Sequence, residues 1–176
     1  MDRHQGFTLA ELVFTLAIVA GLLGWGLPAF HDVHRNAERT REVNQLVHAI
    51  HYARSEAIKR NGVVSLCPST DGEQCAPAGT PWHQGWIAFV NSDRDSPAER
   101  DAGEEILQVF APWLSGSVLA NRHTLSFRPF GQMGVTASFT FCDERGARAA
   151  RAVIISQTGR PRVSPFDASG EPLTCA

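Results

Sequence analysis

Gly6-Phe7-Thr8-Leu9-Ala10-Glu11-Leu12 opens the stretch whose reading decides the fold, and Leu12 to Phe30, LVFTLAIVAGLLGWGLPAF, completes it. The second part runs nineteen residues without a charge. As a helix rising ~1.5 Å per residue, it just reaches across a hydrocarbon core of ~30 Å. A short polar segment, MDRHQG, precedes it with Arg3 and His4. A cleaved secretory signal would put its processing site after the apolar run, at small residues. Here the run ends in Leu27-Pro28-Ala29-Phe30, and helical periodicity continues beyond it. Glu11 is the anomaly. A carboxylate within a membrane segment costs about 2.5–3.5 kcal/mol at mid-bilayer and less near an end, so Glu11 either has a use or reaches the interface.

Downstream, Val43, Leu46, Val47, Ile50, Ala53, Ala57 and Ile58 recur at spacings of three and four. Arg35, Glu38, Arg39, Arg41, Glu42, Arg54, Glu56 and Lys59 fill the other positions, as on an amphipathic helix. Asn61-Gly62 supplies a stop. These signals predict one helix from about Phe7 to Arg60, ~80 Å long and kinked at Pro28. Residues 7–30 form its transmembrane half and 31–62 its amphipathic half. Residues 63–176 then read as a β-rich head on the far side of the membrane. Val63–Cys67, Gly85–Val90, Ile106–Phe110, Thr124–Arg128, Ala137–Cys142 and Ala152–Gln157 are short, β-branched or aromatic, and separated by Gly, Pro, Asp and Ser. The expected architecture is α+β, a long helix packed against an antiparallel sheet.

The chain has 176 residues, enough for one domain with an appendage. Its 43% hydrophobic and 19% charged content excludes a disordered chain, a collagen and a polytopic membrane protein. The net charge of −2 is unevenly spread: residues 63–110 carry −6 and residues 111–176 carry +3. The basic last third permits local anion binding despite the acidic total. Lys59 is the one Lys among sixteen basic residues, and Arg can grip phosphate or carboxylate with two parallel hydrogen bonds.

Four cysteines, Cys67, Cys75, Cys142 and Cys175, allow three disulfide connectivities. An even count in a head outside the cytoplasm favours disulfides. Cys67–Cys75, closing a Pro- and Gly-containing loop, and Cys142–Cys175, stapling the tail to a strand, are the favoured pairs. Zinc is the rival, although Cys67 and Cys75 lack the close spacing of its usual ligands.

No catalytic constellation stands out, no nucleophile elbow and no phosphate-cradling Gly loop. His31/His34 and His48/His51 are i, i+3 pairs without an evident carboxylate or Cys to complete a metal shell. Asp93, Asp95, Glu99, Asp101, Glu104 and Glu105 offer hard oxygens for calcium, but they lack EF-hand spacing and Arg94 and Arg100 interrupt them. The most informative short segment is Ser156-Gln157-Thr158-Gly159-Arg160-Pro161-Arg162-Val163. Gly159 tolerates positive φ and Pro161 fixes its own, so this is a tight turn leaving a strand. It projects Arg160 and Arg162 together, with Arg145, Arg148 and Arg151 upstream as candidate support.

The Gly6–Leu12 segment before an apolar run resembles the leader-processing site of type IV prepilins and type II secretion pseudopilins. The resemblance implies cleavage between Gly6 and Phe7 by a prepilin peptidase, methylation of Phe7, and retention of the apolar segment in the inner membrane with a periplasmic head. It also implies that Glu11 offsets the N-terminal amine of a neighbouring subunit during fibre assembly. Cys67-Pro68-Ser69-x-Asp71-Gly72-x-x-Cys75, Gly85-Trp86-Ile87-x-Phe89-Val90 and Phe127-x-Pro129-x-Gly131 are similar to the GspH/FimT branch of that superfamily. Within it, Gly159-Arg160-x-Arg162 resembles the DNA-contacting motif of a minor pilin that serves natural transformation. The expected partners are then double-stranded DNA, other major and minor pilins, the peptidase and the membrane. No enzyme activity, cofactor, metal or small-molecule substrate is expected. The alternative is a minor pseudopilin of a type II secretion system, with a structural role and no DNA binding.

Overall fold

A computed structural model describes residues 8–175, without the side chains of residues 25–29. The leader 1–6 and the expected processing site at Gly6 and Phe7 lie outside the described residues, as does the side chain of Pro28. The chain divides into two compact units, Met1–Glu38 and Arg39–Ala176.

In the first unit the described structure is the beginning of helix α1 (Leu9–Arg60). Thr8 caps it: the Glu11 amide donates to Thr8 Oγ1 at 3.3 Å, which places Glu11 at the third helical position of a Thr-x-x-Glu capping sequence. Large apolar side chains such as Leu9, Phe14, Leu16, Ile18 and Leu22 are exposed. Among the described residues no helix is long and apolar enough to cross a membrane.

In the second unit, α1 buries one face made of Val43, Leu46, Ala49, Ile50, Ala53 and Ala57, the three- and four-residue spacing of an amphipathic helix. Its end is a Schellman motif. The Gly62 amide donates to Ala57 O at 3.1 Å and the Asn61 amide to Ile58 O at 3.2 Å. Asn61, at φ 50°, takes the left-handed position that Gly usually fills.

Eight strands follow: β1 (Val63–Pro68), β2 (Trp86–Asn91), β3 (Ile106–Phe110), β4 (Gly116–Ala120), β5 (Leu125–Phe127), β6 (Ala137–Asp143), β7 (Arg151–Ile155) and β8 (Pro161–Ser164). They form two antiparallel four-stranded sheets, ordered β3-β2-β1-β5 and β4-β6-β7-β8. The α+β class expected from sequence is therefore present, with two differences. The sheet is split in two, and β4 and β8 add to the six anticipated strands. Both additions begin at a residue that weakens a strand signal, Gly116 and Pro161.

The two sheets share the core with α1. Val64 and Leu66 of β1, Leu125 and Phe127 of β5, Phe139 of β6, and Val153 and Ile155 of β7 are fully or almost fully buried within one cluster. Trp82 meets Phe139 edge-on with centroids 4.9 Å apart, the arrangement that aromatic quadrupoles favour. Burying a Phe of this kind contributes up to about 3 kcal/mol.

Two disulfides fasten the periphery, Cys67–Cys75 and Cys142–Cys175. Inside the first loop, Asp71 Oδ1 accepts from the Glu73 and Gln74 amides at 2.8 and 2.9 Å. These bonds hold the Asp71 carboxyl below the usual carboxylate range. The second disulfide ties the C-terminal tail to β6 and sets Leu173 beside Ala150, Ala152 and Ile154.

Candidate nucleic-acid interface

The Gly-Arg-x-Arg segment is the turn of the β7–β8 hairpin. Ile155 pairs with Pro161 and Ile154 with Arg162. Between them the Ser156 amide donates to Arg160 O at 3.1 Å and the Gly159 amide to Ser156 O at 2.8 Å. Ser156 Oγ lies 2.8 Å from Thr158 Oγ1 and accepts from the Arg160 amide at 3.3 Å. Every one of these bonds is local, so the chain's own geometry closes the turn. Because directly paired residues share a face, Arg162 stands on the side of Ile154 and Ala152, opposite the side of Val153 and Ile155 that meets the helix. Arg160 and Arg162 are both exposed. Neither has a carboxylate partner among the described residues.

A second loop fixes this turn. Gly159 has φ +72° and is buried; a Cβ there would meet Gly131 O at 2.6 Å and the Phe127 ring at 3.2 Å. Gly131 has φ +70°, and its carbonyl accepts from Arg54 Nε at 2.9 Å. Nearby, Gln157 O accepts from the Met133 and Gly134 amides at 3.1 and 3.2 Å. The Arg turn therefore rests on the loop that follows β5, and that loop is anchored to α1 through Arg54. Side chains presented from a fixed backbone lose less entropy on docking.

The other arginines do not converge on the turn. Arg145 is drawn into a two-pronged ion pair, its Nε 3.0 Å from Asp143 Oδ1 and its Nη2 2.6 Å from Asp143 Oδ2. Arg39, with only 7% of its side chain exposed, lies 3.9 Å from the same carboxylate and donates to Ala149 O. The hydrogen bond from Arg145 is the main reason the Asp143 carboxyl stays below its ordinary range despite burial. Burial, then the charges of Arg151 and Arg145, lowers the Arg39 guanidinium from its ordinary value, while Asp143 pulls the other way. Arg151 pairs with Phe141 and shares the face of Val153, so it stands on the opposite face from Arg162. Its Nη1 donates to Ala150 O at 2.7 Å. Arg148 is exposed on the short 3₁₀ turn Ala147–Ala149. Arg145 thus belongs to a charge cluster with Asp143 and Arg39, and Arg151 lies near enough to Arg39 to act on its charge.

The sequence reading passed over a different basic feature. A groove of about 720 Å³ opens beside β5, lined by Arg94, Arg122, His123, Ser126, Arg128 and Met133 among others. Arg94, Arg122 and Arg128 are exposed. Asp95, on the groove wall, spends its oxygens on the Asn91 amide group at 2.8 Å and the Glu99 amide at 2.9 Å. Phe130 is 84% exposed in the turn after β5. The available signal was Arg128-Pro129-Phe130-Gly131, an aromatic beside Arg in a turn.

The acidic stretch is employed on its own backbone and on the end of α1. Glu104 accepts from the Ser92 and Asp101 amides at 2.5 and 3.1 Å, and Glu105 pairs with Arg60 at 2.5 Å. Among the described residues no group of three or more His, Cys, Asp or Glu comes together to hold a metal.

Two crystal structures of the type IV minor pilin FimU from Pseudomonas aeruginosa PAO1 share this fold. Each superposes with a TM-score of 0.53 at 19% identity, one over 76% of this chain and 96% of the other, the second over 84% and 99%. No curated protein matches in sequence. Proteins of the GspH and minor-pilin kind are structural and non-enzymatic. The model of the type II transport protein GspH family matches residues 42–159, from the buried helix face to Gly159 itself, and the chain belongs to that family, within the type IV pilin and pseudopilin superfamily.

Proposed function

We propose that this chain is a minor pilin that binds double-stranded DNA without sequence preference, through Gly159, Arg160 and Arg162, for uptake in natural transformation. The observation that carries this reading is the pair Arg160 and Arg162, exposed and without carboxylate partners among the described residues, on a turn fixed by Gly159 against Gly131. Contacts to phosphate oxygens position nucleic acid without reading it. Arg148 is the upstream residue exposed to solvent; Arg145 is paired with Asp143, and Arg151 stands on the opposite face of the sheet from Arg162, near Arg39. Cleavage by the prepilin peptidase between Gly6 and Phe7 and methylation of Phe7 leave the apolar helix as an inner-membrane anchor, with the head in the periplasm. Glu11 meets the N-terminal amine of the next pilin in the fibre.

The test is fluorescence anisotropy of the full-length chain in detergent with a labelled duplex at two salt concentrations. Wild type binds, with log affinity falling by about 0.9 per phosphate contact per decade of salt. Arg160→Ala/Arg162→Ala, with an unchanged circular dichroism spectrum, abolishes that binding. Absence of binding by a folded wild-type chain rejects the reading. The second reading, a minor pseudopilin of a type II secretion system, is favoured by the family description and becomes the leading one in that event.

A further inference from the structure

We propose that the head carries a site for single-stranded DNA, built from Phe130 and the arginine-lined groove beside β5, on the loop that touches the Arg160–Arg162 turn through Gly131 and Gly159. This inference rests on the DNA-binding reading above and adds a ligand class to it.

Phe130 is 84% exposed, so its ring faces are open to solvent. It is held there by backbone bonds on both sides: the Gly131 amide donates to Arg128 O at 2.7 Å, and the Arg128 amide to Gln132 O at 3.0 Å. Its neighbour Gly131 touches Gly159, which is the neighbour of Arg160. One Cα step is ~3.8 Å, so the backbones of Phe130 and Arg160 each lie one residue from the Gly131–Gly159 contact. On the other side, Arg128 and Pro129 line the groove, followed by Arg122 and Arg94. Arg94 and Arg128 have no carboxylate partner among the described residues, and Arg122 spends only its Nε, on Thr136 O at 3.3 Å.

An exposed ring two residues from Arg128 of an arginine-lined groove suits a single strand. Unpaired bases present faces that stack on aromatics, while the backbone follows the positive charge. A duplex hides those faces and offers only phosphates to such a surface. The exposed guanidiniums of Arg94, Arg122 and Arg128 complement the phosphates of a polyanion.

The experiment uses the full-length chain in detergent and two labelled probes, a twenty-nucleotide oligo-dT and a duplex of the same length. Phe130→Ala is expected to lower the ratio of single-strand to duplex affinity roughly tenfold. Phe130→Trp is expected to keep that ratio and to show tryptophan quenching by oligo-dT beyond that of wild type. Arg122→Ala/Arg128→Ala is expected to flatten the single-strand salt dependence by about 1.4, from ~0.7 per contact. An unchanged ratio in Phe130→Ala while Arg160→Ala/Arg162→Ala still abolishes duplex binding overturns this inference and leaves the proposed function standing. Loss of cross-linking to partner pilins by Phe130→Ala, with oligo-dT binding intact, overturns it in favour of subunit packing. A folded wild-type chain that binds neither probe ends both.

Discussion

The carbonyl oxygen of Gly131 stands where a side chain on residue 159 would have to begin: a Cβ at Gly159 would lie 2.6 Å from it. That close approach joins the turn of one sheet to the loop leaving the other, and it explains why the Arg turn has a defined position.

Gly159→Ala adds a side chain at φ +72° and forces the two loops apart. The left-handed backbone alone costs about 1–2 kcal/mol, and displacement of the Gly131 carbonyl adds to it. The variant should melt several degrees lower by circular dichroism. On the proposed function it should also lose DNA affinity although both arginines remain, since their platform has moved.

Arg54 holds the same carbonyl from the helix side. A hydrogen bond from a charged donor contributes about 1.5–3 kcal/mol, so Arg54→Ala should destabilise the chain by that order. Arg54→Gln, a neutral donor of similar reach, should recover part of the loss. Thermal unfolding of the three proteins side by side reads the effect.

The Asp143 cluster gives a pH dependence with a definite sign. The folded-state carboxyl lies below its ordinary value, so its stabilisation is complete above the unfolded value of about 3.9. That stabilisation is lost as pH falls through the lower folded value. Wild-type melting temperature should drop below about pH 4, whereas Asp143→Asn should start lower at pH 7 and show a shallower acid decline. Equal acid slopes in the two proteins would show that the cluster contributes nothing there.

Much of this architecture is legible in sequence because burial writes a period into it. Val43 to Ala57 repeat at helical spacing and face the core; Asn61-Gly62 stops the helix where a Schellman motif forms. β8 is not legible: Pro161 and Arg162 look like a turn, and only the register against Ile155 and Ile154 makes them a strand. The division into two sheets is equally silent, because nothing in a five-residue strand names its neighbours. For the candidate site, the arginines of the turn could be read from Gly159 and Pro161. The withdrawal of Arg145 and Arg151 could not, since it depends on where Asp143 and Arg39 meet in space.

The two disulfides should differ in weight. They link residues 8 and 33 apart in sequence, for which the loop-entropy relation gives about 2.5 and about 3.7 kcal/mol. Cys142→Ser/Cys175→Ser should therefore lower the melting temperature more than Cys67→Ser/Cys75→Ser. It should also open the tail around Leu173 to protease first.

A pilin-family head works among others of its kind, and each open sheet edge is a template on which a neighbour's strand could pair. Three of the four edges here are blunt, β4 being the exception. β5 has three residues before the chain turns away at Arg128, β8 begins on a Pro whose nitrogen has no hydrogen to give, and the β2–β3 pairing slips between Ala88 and Phe89. Heads that meet along these three edges would touch without merging into a shared sheet.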